Sequence, residues 1–290
     1  MITLSIIILS YNTKDLTVRC IESIVKQYKQ ELTRKEIEII VVDNASLDDS
    51  VSAIGKISSL QNLKILLNRE NVGFGKGCNI GAKKASGKYF LFLNSDTEVL
   101  DNGFLKMTEF LDAHNDVGIL GGKLLNADGS LQPSGGSFYN LFNLFLMLLG
   151  GERLGLTRKS AQKVEKVDWV SGACMMVRSE VFEKLSGFDE ELFMYMEDME
   201  LCFRAKELGF KTYFYPNISL QHKQLGSGNR TFAIINIYKG ILHFYRRHKS
   251  RFEYLIAKTL LFAKAAILIF VGILTANQNL SVRYKKAIKF

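Results

Sequence analysis

The chain has 290 residues, 47% of them apolar and 23% charged, with 23 Gly and only 2 Pro. This composition excludes a disordered chain, a Pro-rich linker and a collagen-like repeat, and the length suits one large α/β domain or one domain with an appendage. Lys and Arg exceed Asp and Glu by 38 to 29, a net +9, so an anionic partner is expected: nucleic acid, a phosphorylated substrate or an acidic membrane surface.

The N-terminal run Met1-Ile2-Thr3-Leu4-Ser5-Ile6-Ile7-Ile8-Leu9 lacks a basic leader and a small-residue cleavage site and reads as a buried strand. Short β-branched runs recur at 4–9, 37–42, 63–67, 89–93 and 117–120. Longer segments with helical patterning, such as 15–28, 48–60 and 77–85, separate them. This alternation predicts βαβ units and a mostly parallel sheet. Ile6-Ile7-Ile8-Leu9 and Ile39-Ile40-Val41-Val42 do not alternate, as expected of central strands covered on both faces.

Polar residues follow each of the first four strands. They are Ser10-Tyr11-Asn12, then Asp43-Asn44-Ala45-Ser46, then Asn68 with the loop from Asn71 to Gly77, then Asn94-Ser95-Asp96. Ligands bind at the carboxyl edge of open α/β sheets, so these clusters are expected to meet at one site.

Residues 121–190 are less periodic. Within them, 140–149 (NLFNLFLMLL) is either a short core or interface helix, or a surface that meets a lipid-linked acceptor or a membrane. From about residue 232 the pattern is helical. An apolar segment holds Lys258 and Lys264, and its uninterrupted part, 265–274, spans roughly 15 Å at helical rise, half of a ~30 Å hydrocarbon core. Arg246, Arg247, Lys249 and Arg251 precede it, and Arg283, Lys285, Lys286 and Lys289 follow it. Basic flanks on both sides disfavour a span. A helix lying in the membrane interface is expected, with packing inside an oligomer or a true span as the other readings.

The cysteines Cys20, Cys78, Cys174 and Cys202 form no CxxC pair and no zinc-ligand spacing, and they are too sparse for a disulfide scaffold. A reducing cytosol fits them. A dinucleotide fingerprint fails, because Gly73-Phe74-Gly75-Lys76-Gly77-Cys78 has Cys in place of the third Gly and follows the third strand. A P-loop fails because Gly87-Lys88 runs into Tyr89. Gly73, Gly75 and Gly77 suit close backbone approach or a plain turn. Asn94-Ser95-Asp96-Thr97 suits a divalent ion shared with a diphosphate, or an Asp that caps a helix. Asp43 reads as a contact to base or ribose, or as another cap.

These clusters occur in order with Ser171-Gly172-Ala173, Gly187-Phe188-Asp189-Glu190, Phe193-Met194-Tyr195-Met196-Glu197-Asp198-Met199-Glu200-Leu201, His222 and Ser227. The ordered set, over about residues 3–230, resembles the inverting nucleotide-sugar glycosyltransferases of family 2, particularly the rhamnosyltransferase-like branch. The resemblance implies a GT-A fold, with a nucleotide-sugar half at 1–120, an acceptor half at 121–230 and a helical, basic and apolar tail at 231–290. It implies that Ser10, Asn12 and Asp43 contact the nucleoside. Asn71, Gly73 and Asn79 would line the nucleotide-sugar pocket, with Tyr11, Asn94, Ser95 and Gly172. Asp96 would end a DxD-type motif whose first carboxylate is replaced by Asn94, and His222 would complete a Mg²⁺ or Mn²⁺ site.

Inverting transfer needs a base for the acceptor hydroxyl and charge stabilisation for the leaving diphosphate. Residues 198–208 read as a helix with Leu201, Cys202, Ala205 and Leu208 on one face. Asp198 at its N-terminus is the expected base, or else a cap. The helix dipole is expected to lower its pKa. Glu197 ranks second, about 100° round the helix. Trp169 and Tyr195 are candidates to stack on sugar faces or to pack in the core. The implied partners are a nucleoside-diphosphate sugar (dTDP-rhamnose or a UDP-sugar), a lipid-linked glycan acceptor and an anionic membrane surface on the cytoplasmic face. Nucleic acid is not expected, because the basic excess concentrates in the tail and no stacking motif appears. A catalytically silent membrane scaffold of the same fold is the rival, and the full set of Asp43, Asp96, Asp198 and His222 argues against it.

Overall fold

The computed structural model describes residues 2–57, 62–223 and 230–289. Ser227 and the end of the expected helix 48–60 lie outside the described residues. Four strands, β1 (Leu4–Ser10), β2 (Ile37–Asp43), β3 (Leu63–Leu67) and β4 (Tyr89–Asn94), alternate with α1 (Lys14–Thr33), α2 (Ser50–Ile57) and α3 (Phe74–Ala82). They pair in parallel in the order β3-β2-β1-β4. All seven residues of β2 are buried, which is why its sequence does not alternate. Ile6 and Ile8 join one apolar cluster and Ile7 the other, so β1 feeds the cores on both faces of the sheet.

The chain continues through β5 (Thr97–Val99), α4 (Phe104–Ala113), β6 (Val117–Leu125), β7 (Leu131–Gln132) and β8 (Gly135–Gly136). Next come α5 (Leu141–Leu148), a 3-10 turn at Gly151–Leu154, β9 (Arg158–Lys159), β10 (Glu165–Val167), β11 (Trp169–Val170) and β12 (Cys174–Arg178). Then α6 (Ser179–Lys184), α7 (Glu197–Glu207) and β13 (Lys211–His222) close the sheet. β12 runs antiparallel between β4 and β6, and β13 lies parallel to β6 on its other side. β11, β8 and β9 form a separate small sheet. Arg178 on β12 binds the end of α4, donating through Nε to the Val117 carbonyl (2.8 Å) and through Nη2 to the carbonyls of His114 (3.1 Å) and Leu111.

The tail is helical, as expected: α8 (Arg230–His248), α9 (Arg251–Leu274) and α10 (Gln278–Ala287). Ser250 starts α9 with a capping box, accepting from the Glu253 N–H while its own N–H donates to Glu253. α8 is tied to the body through Asp189, which pairs with His243 (2.7 Å) and Arg247 (3.0 Å). α9 packs against α10, α8 and α5 through Ala257, Leu261, Ala265 and Gly272. Phe252, Leu255, Phe262, Ile267 and Phe270 of the same helix are exposed.

Asn79 on α3 holds the turn before α7. Its Oδ1 accepts from the Phe188 N–H (2.9 Å), and its Nδ2 donates to the Phe188 carbonyl (2.9 Å) and to Glu190 (3.2 Å). Removing a buried amide leaves both backbone groups of Phe188 unpaired, which costs about 1–3 kcal/mol. Asn79→Ala is therefore expected to lower stability in urea by that amount while leaving nucleotide affinity of the folded protein close to wild type. A large loss of affinity at unchanged stability would contradict this role.

Candidate active site

The four strand-end clusters meet at the carboxyl edge of the sheet in a cleft of about 650 Å³. Tyr11, Asn71, Gly73, Asn94, Ser95, Asp96, Gly172, Glu197, Asp198 and His222 all line it. Ser10, Asn12, Asp43 and Asn79 do not appear in its wall. Ser10 is buried against Thr17, with its Oγ 2.9 Å from that hydroxyl. Asn12 organises the loop after β2, accepting from the Leu47 N–H (2.7 Å) and donating its own N–H to Ser46 (2.9 Å). Asp43 caps the same loop by accepting from the Ser46 N–H through Oδ2 (3.0 Å). Its Oδ1 is buried with no hydrogen-bond partner among the described residues, an unpaired acceptor next in sequence to the cleft-lining Asn44. Asn79 is engaged by Phe188, as described above, and is not at hand for a donor.

Asn44, named by sequence only as part of the cluster after β2 and given no role of its own, shapes one wall. It donates to Asn71 (2.8 Å) and to the Gly73 carbonyl (3.2 Å), and accepts from Asn68 (2.9 Å) and the Val72 N–H (3.2 Å). Gly73 adopts φ 86°, and a Cβ there would fall 2.3 Å from the Phe193 carbonyl oxygen. Only glycine allows this contact, which joins the donor-side loop to the segment leading into α7.

Asp96 and His222 are brought together by strand register, since His222 of β13 pairs opposite Thr97 of β5. The Asp96 Oδ1 and His222 Nε2 stand 3.2 Å apart. His222 Nδ1 lies 2.6 Å from the Gln132 Oε1. An amide oxygen only accepts, and the Gln132 Nε2 donates to Asn126 (2.9 Å), so the hydrogen-bond network assigns the His222 proton to Nδ1. Nε2 then accepts from the Asn94 Nδ2 (3.3 Å) and stands beside the Asp96 carboxylate oxygen, two atoms that could ligate a cation if the Asn94 amide gave way, with an orienting partner behind the imidazole. Among the described residues no group of three or more His, Cys, Asp or Glu could hold a metal. A divalent cation held by this pair would need its remaining ligands from substrate oxygens and water.

Opposite stand the two carboxylates. Tyr195 (φ 71°) and Met196 (φ 74°) are consecutive left-handed residues immediately before α7, a conformation that costs energy in non-glycine residues and clusters at functional sites. This bend sets Glu197 and Asp198 as the first two residues of α7. Asp198 Oδ2 accepts from the Gly172 N–H (3.1 Å), and Oδ1 from the Met199 N–H (2.8 Å). Burial raises the Asp198 pKa, against the N–H groups of Gly172 and Met199 and the charge of Arg158, which pull it down. The dipole argument from sequence gave the opposite direction, and burial outweighs it. Burial and the Asp198 charge raise Glu197 as well, and the two carboxyls titrate as a pair. Trp169 is buried, with its Nε1 donating to the Ser137 carbonyl (3.1 Å), and one face is turned to Arg158. Arg158, Glu152, Tyr139 and Gln132 complete the lining. All four come from the aperiodic stretch 121–190, where no pattern marked them.

Four parallel strands joined to a second half in one sheet, with Asp96, His222 and the buried Asp198 lining one cleft at the strand ends, are the architecture of a GT-A glycosyltransferase. The sequence matches the family model Glycosyl transferase family 2 over residues 5–186, and the chain belongs to that family. It is 24% identical over 242 residues to the N-acetylglucosaminyl-diphospho-decaprenol L-rhamnosyltransferase of Mycobacterium tuberculosis (77% of this chain, 76% of that protein). It is 27% identical over 199 residues to rhamnosyltransferase WbbL of Escherichia coli K12 (65% and 72%). Its fold is similar to that of the mannosyltransferase PcManGT of Pyrobaculum calidifontis, solved with GDP-Man and Mn²⁺ (TM-score 0.60, 16% identity, 98% and 84% covered).

Both carboxyls sit above their ordinary values in the folded chain. Their stabilising contribution is complete below the pKa of the unfolded chain and is lost as pH rises through the folded one. Glu197→Gln removes the penalty of ionising one of them. The melting temperature of this variant, relative to wild type, is expected to be higher at pH 9 than at pH 5. A difference that does not change with pH would contradict the raised pKa.

Proposed function

We propose that the protein moves a sugar, with inversion, from a nucleoside-diphosphate donor to a lipid-linked glycan at the cytoplasmic face of a membrane, in cell-surface glycan synthesis. dTDP-rhamnose is the favoured donor, supported by the rhamnosyltransferases among its relatives, and UDP-sugars are the alternative. The observation that carries the reading is Asp198, held by the Gly172 N–H in the same cleft as the Asp96–His222 pair.

Each residue then has a defined task. The open Oδ1 of Asp43 accepts an N–H of the base or a ribose hydroxyl from a nucleoside lying across the ends of β1 and β2. Asp96 and His222 would hold a divalent cation, Mg²⁺ or Mn²⁺, which would supply neutralisation of the charge that develops on the leaving diphosphate. Asp198 takes the proton of the acceptor hydroxyl as it attacks the anomeric carbon. Its raised pKa makes it a stronger base than a solvated aspartate once ionised. Gly172 keeps the carboxylate aimed while the sugar departs from the diphosphate.

The exposed apolar residues of α9 and α5 support attachment to a lipid surface. α9 is about 36 Å long and is apolar enough to cross a membrane by composition. One side is packed on α8 and α10, which carry Arg246, Arg247, Arg283, Lys285 and Lys286. A span would drag these charges into hydrocarbon. A helix lying in the interface keeps them at anionic headgroups.

Asp198→Asn is expected to retain nucleotide-sugar binding in thermal-shift assays and to lower kcat at least 100-fold, in the range for loss of a positioned base. Asp96→Ala is expected to abolish the Mg²⁺-dependent part of donor stabilisation. Near-wild-type turnover in the first, or unchanged metal-dependent stabilisation in the second, would overturn the corresponding assignment. In a second experiment, the protein is expected to sediment with anionic vesicles and to be released progressively by salt. Phe262→Asp with Phe270→Asp is expected to weaken that binding at every salt concentration, and no sedimentation of wild type would overturn the interfacial reading.

A further inference from the structure

We propose that Arg158, lying on the face of Trp169, anchors a phosphate of the acceptor substrate. The inference rests on the reading of the site given above and names the part of the acceptor that the second half of the cleft holds.

Arg158 is the only Lys or Arg among the described residues that line the cleft. Its guanidinium carbon lies 5.4 Å from the centroid of the Trp169 ring. Its Nε is buried without a hydrogen-bond partner among the described residues, and no carboxylate there forms an ion pair with it. The nearby Glu152 is already engaged by the Tyr139 hydroxyl (2.9 Å). A half-buried guanidinium that meets only the face of an indole has unused donors in a fork that matches phosphate.

Position decides which phosphate. The diphosphate of the donor is assigned to Asp96 and His222, at the ends of β4 and β13. Arg158 comes instead from β9, in the small sheet, and its charge acts on Asp198. Asp198 receives the acceptor proton, so its neighbourhood on this side belongs to the acceptor. Met147 of α5 lines the same cleft, and α5 packs on α9 while Phe142 and Phe145 of α5, and Leu149 just after it, are exposed. A lipid-linked sugar reaching Asp198 from this apolar surface carries its phosphate linkage past Arg158.

The protein contains a single tryptophan, so Trp169 reports directly on occupancy of this site. A short-chain alkyl diphosphate, with no metal added, is expected to change the Trp169 emission saturably. Arg158→Gln is expected to weaken that response at least tenfold, as for loss of a charge-assisted pair, and Arg158→Lys to retain part of it. Stabilisation of Arg158→Gln by a nucleoside diphosphate with Mg²⁺, equal to that of wild type, is expected and reports a folded donor half. In transfer assays, Arg158→Gln is expected to raise KM for an alkyl-diphosphate-linked sugar at least tenfold more than for the phosphate-free alkyl glycoside of the same sugar. Equal losses on both acceptors would overturn the proposal and make Arg158 a positioning residue for Asp198. Loss of metal-dependent nucleotide binding in the variant would overturn it in favour of a donor contact, and an emission change that survives in Arg158→Gln would overturn it outright. Failure of wild type to bind any nucleoside diphosphate would strike the donor reading, while the metal-free diphosphate response would still stand or fall by itself.

Discussion

The cleft depends on one antiparallel seam. β12 pairs with β4 from Cys174 opposite Leu93 to Arg178 opposite Tyr89, and the Asn94 N–H donates to the Ala173 carbonyl (3.2 Å). This seam welds the second half of the chain onto the parallel βαβ strands β1 to β4. It carries Gly172 to the same edge as Asn94, Ser95 and Asp96. The backbone N–H of Gly172 then orients Asp198, so a strand pairing fixes where the proposed base stands relative to Asp96 and His222. A one-residue slip would turn every side chain of β12 to the opposite face, and both apolar cores resist it: Met175 and Val177 belong to one cluster and Cys174 and Met176 to the other.

The electrostatics of the cleft are divided between its two walls. On the proposed donor wall, Asp96 and His222 would offer a cation two ligating atoms and leave the rest of its shell to the substrate, which would link metal binding to donor binding. On the acceptor wall, burial keeps Asp198 and Glu197 above ordinary carboxylate values, and Arg158 tempers the first of them. The left-handed pair Tyr195–Met196 concentrates backbone strain at the turn that aims these carboxylates. The Phe193 carbonyl beside it accepts from the Phe74 N–H (2.8 Å) across the glycine contact at Gly73. The same short segment therefore touches the donor loop and starts the catalytic helix.

The tail is a continuation of this architecture. Asp189, two residues after the glycine turn at 187, anchors α8, and α8 with α10 supports one side of α9. The apolar surface of α9 and α5 is thus rigidly related to the acceptor side of the cleft. An enzyme that takes a lipid-linked substrate gains from this coupling, because attachment to the surface also orients the opening.

Much of the frame was written locally. Unbroken runs such as Ile39-Ile40-Val41-Val42 specify strands buried on both faces, and the polar residues that follow them specify the ligand edge, because strand polarity alone decides where those residues end up. The ordered motifs through Glu197-Asp198 and His222 were enough to name the family. The tertiary structure decided the rest. Asn79 carries a motif position yet serves the Phe188 turn, since its partner lies 109 residues away in sequence. The direction of the Asp198 pKa follows from burial by remote segments, which outweighs the local helix dipole. Gln132, Glu152 and Arg158 sit in a stretch without periodicity and acquire meaning only from what folds against them. Local physics determines which elements form and which way they point, whereas desolvation and long-range register, properties of the packed chain, determine what each charged group can do.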